Sequence, residues 1–296
     1  MHIRILSPSG AIEPQYIDQA AEVLRRQGHV VSIAPHAKGK AGRFAASDSE
    51  RVEDMVNALH DNAIDALLCA RGGYGLQRII DQLPPVTKPV IGFSDITALH
   101  LLCARTGQPS LHGLMCKHIA QAQDNDLYAT YWQALDGQDL HYSLPAHPLN
   151  RDGRVQGTLI GGNLSVLYGL QGTPYGLPAL LPSERTESKP YILFIEDIAE
   201  RHYHIDRMMN NLRLSGVLAR ISGLVVGQFT DCEDDPSMGC TVYETIRQAV
   251  AKYTYPVVFD FPAGHPDANY PLYLNAAAEV DVTPYSSTIV SAFRSS

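Results

Sequence analysis

The chain has 296 residues, 23 Lys and Arg against 31 Asp and Glu, and a net charge of -8. With 45% hydrophobic and 18% charged residues, the composition is globular and excludes global disorder. The acidic balance speaks against nucleic acid or an anionic membrane surface as a partner, and no apolar run approaches the roughly 20 residues that a membrane-spanning helix needs.

The first ten residues, MHIRILSPSG, meet Pro8 and Gly10 too early for the apolar core of a signal peptide. Residues 3–6 predict a strand and residues 7–10 a turn. Pro14 opens a helix at its first turn, Ile17, Ala20, Ala21 and Leu24 share one face, and Gly28 stops it. Residues 30–33 predict a second strand. Ser47 or Ser49 caps a helix with Val52, Met55, Val56 and Leu59 on its face. Residues 66–70 and 90–92 are unbroken apolar runs, the pattern of a buried parallel sheet. A helix carrying Ile96, Leu99 and Cys103 follows the second. Strands alternating with helices predict βαβ units and an open, mostly parallel sheet.

Residues 143–154 are polar, contain Pro148-flanking turn residues and lack periodicity, so they predict a linker between domains at 1–142 and 155–296. Beyond it, residues 158–160, 191–195, 224–226 and 256–261 predict strands. Residues 163–170, a face of Ile205, Met208, Met209 and Leu212, and residues 242–250 predict helices, and VDV and TIV predict strands near the end. The five cysteines, Cys69, Cys103, Cys116, Cys232 and Cys240, are odd in number and lack a CxxC pair, which suggests reduced thiols in a cytoplasmic protein.

Three islands bear chemistry. In IGFSDIT, Ser94 stands between a strand and a helix, at the carboxyl edge where open α/β folds bind ligands. Such a turn presents a nucleophile beside free helix N–H groups, yet Ser94 or Asp95 as a plain N-cap explains the same placement. In ARGGYG, the glycines after Arg71 let backbone approach a ligand and form an anion nest. A tight turn with a solvated arginine is the alternative, and neither a GxGxxG nor a phosphate-binding-loop lysine is present. The third island is split. YILFIED ends a strand at Glu196, and FPAGH carries His265 in a glycine-bearing loop, so Ser94, Glu196 and His265 follow the chain order of the α/β-hydrolase triad. His112, Cys116 and His118 have side chains suited to zinc, but no fourth ligand stands near them, so local packing is favoured and no metal or other cofactor is expected.

SPSG, ERVED, ARGGYG, IGFSDITALH, GTLIGGNLSVL, FIED with DRMMNNL, and the GH of FPAGH occur in order across nearly the whole chain. In this combination the chain resembles the LD-carboxypeptidase family of serine peptidases, which also holds the microcin C7 self-immunity peptidase. The resemblance implies an α/β fold with an N-terminal Rossmann-like sheet, a smaller C-terminal α/β domain and an active site in the cleft between them. It implies Ser94 as nucleophile, Glu196 as triad acid and His265 as base, with the backbone N–H groups of Gly73 and Asp95 as the oxyanion hole. Arg71 and Tyr74 are candidates for contacting substrate. The implied activity is metal-independent release of the terminal D-Ala from a cytoplasmic cell-wall tetrapeptide, in peptidoglycan recycling, by a homodimer. Two alternatives stay open: an immunity-type peptidase acting on a peptidyl-nucleotide or a related acyl-amino-acid conjugate, and a non-catalytic cleft protein that binds a sugar or peptide.

Overall fold

The computed structural model describes residues 1–184 and 190–293. Strands β1 His2–Leu6, β2 Val30–Ile33, β3 Ala66–Cys69, β4 Val90–Gly92 and β5 Ser110–His112 form a parallel sheet in the order β2-β1-β3-β4-β5. β3 and β4 are buried along their whole length, which is why both read as unbroken apolar runs. The helix Pro14–Arg26 buries the expected face of Ile17, Ala20, Ala21 and Leu24.

The second sheet has seven strands: β6 Leu140–Pro145, β7 Gly153–Asn163, β8 Tyr191–Ile198, β9 Gly223–Thr230, β10 Val257–Val258, β12 Ala276–Val282 and β13 Ser286–Ala292. β7 to β10 are parallel, and β12, β13 and β6 continue the sheet antiparallel beyond β7. The fold is therefore α/β with two sheets. The stretch expected as a linker at 143–154 is strand at both ends, since β6 runs to Pro145 and β7 starts at Gly153, with residues 146–152 connecting them. β6 is an edge strand in which the exposed His141, Ser143 and Pro145 alternate with the buried Leu140 and the half-buried Tyr142 and Leu144, so its polar composition belongs to its solvent face.

Strand β11, Leu272–Leu274, lies late in the chain yet pairs antiparallel with β5 of the first sheet, Leu272 opposite His112. Asn275 alone carries the chain from β11 into β12. It adopts a φ of 58°, and its Nδ2 donates to the His100 carbonyl at 2.8 Å and to Ser110 Oγ at 3.2 Å. The two sheets are thus stitched together. One hydrophobic core runs through both, from Ile3 and Leu67 to Leu193 and Leu224.

The helix Asp48–His60 is capped by Ser47 with Glu50 in a capping box. Its buried face differs from the expected one. Arg51, Asp54, Met55, Ala58 and Leu59 face inward, and Val52 and Val56 are half-buried. The reason is polar. Arg51 donates to the carbonyls of Pro8 at 2.6 Å and Gly75 at 3.1 Å, fastening the turns after β1 and β3. Asp54 accepts from the His36 backbone at 3.1 Å and pairs with its ring at 2.9 Å.

His100 lies beneath the serine turn, with Nδ1 against Ser110 Oγ and Nε2 against the Gly92 carbonyl, both at 2.9 Å. Burial pushes its imidazole down to about 4. The folded state therefore binds fewer protons than the unfolded chain between pH ~6.5 and about 4, and His100 contributes stability above that window that is lost as pH falls through it. The expected loss is on the order of 3 kcal/mol by pH 4. Urea denaturation at pH 7 and pH 4.5 tests this: the midpoint should fall on acidification, and the fall should be shallower in a folded His100→Asn variant.

Candidate active site

At the end of β4 the chain turns through Ser94 into a 3-10 turn, Ser94–Ile96, and then the helix Thr97–Thr106. Ser94 has a φ of 66°. A non-glycine residue pays of order 1–3 kcal/mol for that left-handed conformation, and such strain persists only where surrounding structure enforces it. Gly72 is part of the enforcement. A Cβ there would stand 2.8 Å from Ser94 Cβ and 3.1 Å from Ser94 Oγ, so only glycine lets the two turns meet. Neither the 3-10 turn nor the helix begins with a side-chain cap hydrogen bond, so the N-cap explanation of Ser94 and Asp95 falls. The buried Asp95 carboxylate instead accepts from Ser9 Oγ at 2.5 Å and from the Leu76 amide at 3.0 Å. It ties the SPSG and ARGGYG turns to the serine turn, a role that the sequence reading missed.

The other half of the site comes from the second sheet. Glu196, near the end of β8, is fully buried, and its Oε2 lies 2.7 Å from His265 Nδ1. His265 sits in the loop between β10 and β11. Gly264, with a φ of 135°, delivers it, because a Cβ at that position would stand 2.9 Å from Glu196 Oε2. Asn269 Oδ1 holds the same loop by accepting from the Gly264 amide at 2.9 Å, and it lies 3.2 Å from His112 Nε2 of β5. Phe93, next to Ser94, packs edge-on against the His265 ring at 5.0 Å between centroids. A carboxylate oxygen that accepts is matched by an imidazole that donates from Nδ1, the tautomer whose Nε2 can accept a proton.

Ser94 and His265 line one cavity of about 950 Å³, together with Arg71, Gly73, Tyr74 and His118. The amides of Gly73 and Asp95 have no protein acceptor among the described residues. Asp197 and Asp260 are occupied elsewhere. Asp197 accepts from Asn163, from the Ile198 amide and from both the amide and hydroxyl of Ser165. Burial, with the neighbouring Glu196 second, pushes its carboxyl up to about 6. Asp260 accepts from Gln228 and Tyr243 at an exposed position. Cys116 is buried, His112 packs between Phe93 and Phe194, and His118 packs on Phe93. Tyr273 is core, donating to the Ala134 carbonyl at 2.7 Å.

A serine on a strained strand-to-helix turn, sharing a cleft with a histidine backed by a buried carboxylate, is the arrangement that serine hydrolases use for acyl transfer. Comparison with known proteins narrows the class. Residues 3–113 match the profile of the LD-carboxypeptidase N-terminal domain, and residues 156–280 match that of the LD-carboxypeptidase C-terminal domain. An inferred carboxypeptidase of Synechocystis is 31% identical over 94% of this chain and 91% of its own. The murein tetrapeptide carboxypeptidase of Pseudomonas aeruginosa is 28% identical over 89% of this chain and 87% of its own. Among solved structures, the muramoyltetrapeptide carboxypeptidase of Oxalobacter formigenes superposes with a TM-score of 0.87 at 25% identity, each chain covered fully. The microcin C7 self-immunity protein shares the fold, with a TM-score of 0.81 at 20% identity over 99% of this chain and 97% of its own. The chain belongs to the LD-carboxypeptidase family.

Proposed function

We propose that the protein is a serine carboxypeptidase that cleaves the L,D peptide bond releasing the terminal D-Ala from cell-wall tetrapeptides, in the cytoplasm and in the service of peptidoglycan recycling. The observation that carries this reading is the 2.7 Å Glu196–His265 pair opening onto the same cavity as the strained Ser94. His265 Nε2 takes the Ser94 proton as Oγ attacks the carbonyl of the scissile bond. The oxyanion forms against the unpaired amides of Gly73 and Asp95, where one well-placed donor lowers the barrier by roughly 2.7–4 kcal/mol. His265 then protonates the leaving amine, and water repeats the cycle on the acyl-enzyme. Glu196 orients the imidazole and stabilises the cation that forms. Nothing in this cycle calls on a Lewis acid, so the activity is expected to withstand chelation.

The direct test is mass spectrometry of a muropeptide tetrapeptide incubated with the protein, together with labelling by a fluorophosphonate probe. Release of D-Ala and labelling at Ser94 support the reading. Labelling without D-Ala release, with turnover of a peptidyl-nucleotide conjugate, would move the substrate to the immunity-type class. No labelling and no turnover would leave a binding protein.

Gly72→Ala provides a sharper geometric check. Its methyl would press on Ser94 and on the Phe93 carbonyl, 3.0 Å away, so the serine turn must shift. Displacement of a reacting group by about 1 Å can cost about 10²-fold in rate. The variant should show that loss in kcat on the tetrapeptide while remaining folded by circular dichroism.

A further inference from the structure

Ser94 stands on the first sheet and the Glu196–His265 pair on the second, so proton transfer between them depends on how the two sheets are held in register. One contact bears on this directly. Thr97 opens the helix that follows the turn Ser94–Ile96, and it is fully buried. Its Oγ1 accepts from the Asn163 amide at 2.9 Å. Asn163 ends β7, and in the parallel pairing of β7 with β8 it stands opposite Glu196. A single hydrogen bond therefore joins the segment that carries the nucleophile to the strand pair that carries the triad acid.

The surroundings are shaped to this contact. Gly162, with a φ of 135°, precedes Asn163, and a Cβ there would stand 2.4 Å from Thr97 Oγ1. Glycine at that position lets the hydroxyl reach the strand. Asn163 is fixed on its other sides. Its Nδ2 donates to Asp197 Oδ1 at 2.9 Å, and its Oδ1 accepts from the Val166 amide at 3.1 Å, capping the helix Leu164–Gly169. Thr97 lies outside the cavity lining, so its part is not in holding substrate. We propose that Thr97 is a positioning residue whose hydroxyl sets the distance between Ser94 Oγ and the His265 base, and with it the rate of proton transfer. This assignment rests on the carboxypeptidase reading above and adds to it what keeps the two halves of the triad within reach of each other.

The test separates the hydroxyl from the volume around it. Thr97→Val keeps the shape and removes the acceptor, leaving the buried Asn163 N–H unpaired. Thr97→Ser keeps the acceptor and gives up a methyl group. In Thr97→Val, kcat for D-Ala release should fall at least about tenfold, towards the 10²-fold that a misplacement of about 1 Å can bring, with KM within about twofold of wild type. Thr97→Ser should recover most of kcat even if its thermal midpoint is the lower of the two, because loss of a buried methyl weakens packing and not alignment. A contact that served stability alone would make activity follow the midpoint instead of the hydroxyl. Fluorophosphonate labelling of Ser94 should slow in the same order, since it needs the same proton transfer and no peptide. A fall in kcat of less than about tenfold in Thr97→Val, a loss carried by KM, or a Thr97→Ser protein no faster than Thr97→Val would overturn the role. Should Thr97→Val not fold, Thr97→Ala against Thr97→Ser makes the same comparison. If the wild type is labelled but releases no D-Ala, the carboxypeptidase reading fails and the labelling rates decide Thr97 alone. Slower labelling of Thr97→Val, restored in Thr97→Ser, then supports the role, and equal rates overturn it. A wild type that is neither labelled nor active has no activated serine to position, and the inference falls with it.

Discussion

Ser94→Ala should abolish hydrolysis, with a fall in kcat of about 10⁶, the magnitude found when the nucleophile of a well-studied serine protease is removed. The size of the effect follows from the mechanism. Without Oγ no acyl-enzyme forms, and what remains is whatever the oxyanion donors and substrate binding give to direct attack by water. Stability should barely change. Ser94 is half-buried at a cavity wall, so deleting its hydroxyl opens no core void. A thermal midpoint within about 2–4 °C of wild type is expected. Ser94→Gly supplies the control for backbone strain. Glycine adopts a φ of 66° freely, so this variant should be equally inactive with a midpoint no lower than that of Ser94→Ala. D-Ala release measured on all three proteins decides the matter: substantial turnover by a folded Ser94→Ala protein would remove Ser94 from the mechanism.

Replacing Glu196 with Gln should lower kcat by about 10⁴, as neutralising the acid does in a well-characterised triad. Size and shape are kept, so the effect is electrical and tautomeric. The wild-type carboxylate can only accept, which holds the proton on His265 Nδ1 at the 2.7 Å contact. An amide can present its NH₂ instead, and the imidazole then carries its proton on Nε2, facing Ser94, where no base is left. The imidazolium of the transition state also loses its counter-charge in a fully buried setting. The fold should tolerate the change, since removing a buried charge relieves a desolvation cost. Single-turnover labelling by a fluorophosphonate should slow together with kcat, because both need the same proton transfer. A kcat within tenfold of wild type would show that Glu196 does not orient the base.

Local patterns carried much of the fold. The alternation of short apolar runs with helical faces is a property of neighbouring residues, and it placed β1, β2, β4 and the helix Pro14–Arg26 where they stand. Ser94 at a strand-to-helix junction was legible for the same reason, and the resemblance in ordered motifs singled out Glu196 and His265 from the other acids and histidines. Tertiary structure alone decided the rest. Arg51 reads as a solvated charge until the carbonyls of Pro8 and Gly75, far apart in the chain, converge on it. Asp95 reads as a cap until Ser9 and Leu76 arrive. Residues 272–274 carry no mark that sends them back to the first sheet, because strand partnership across some 160 residues is chosen by packing and not by local propensity. The strain at Ser94 is likewise invisible in one dimension. It exists because Gly72, Asp95 and the helix Thr97–Thr106 hold the turn from three sides, and only the folded chain brings them together.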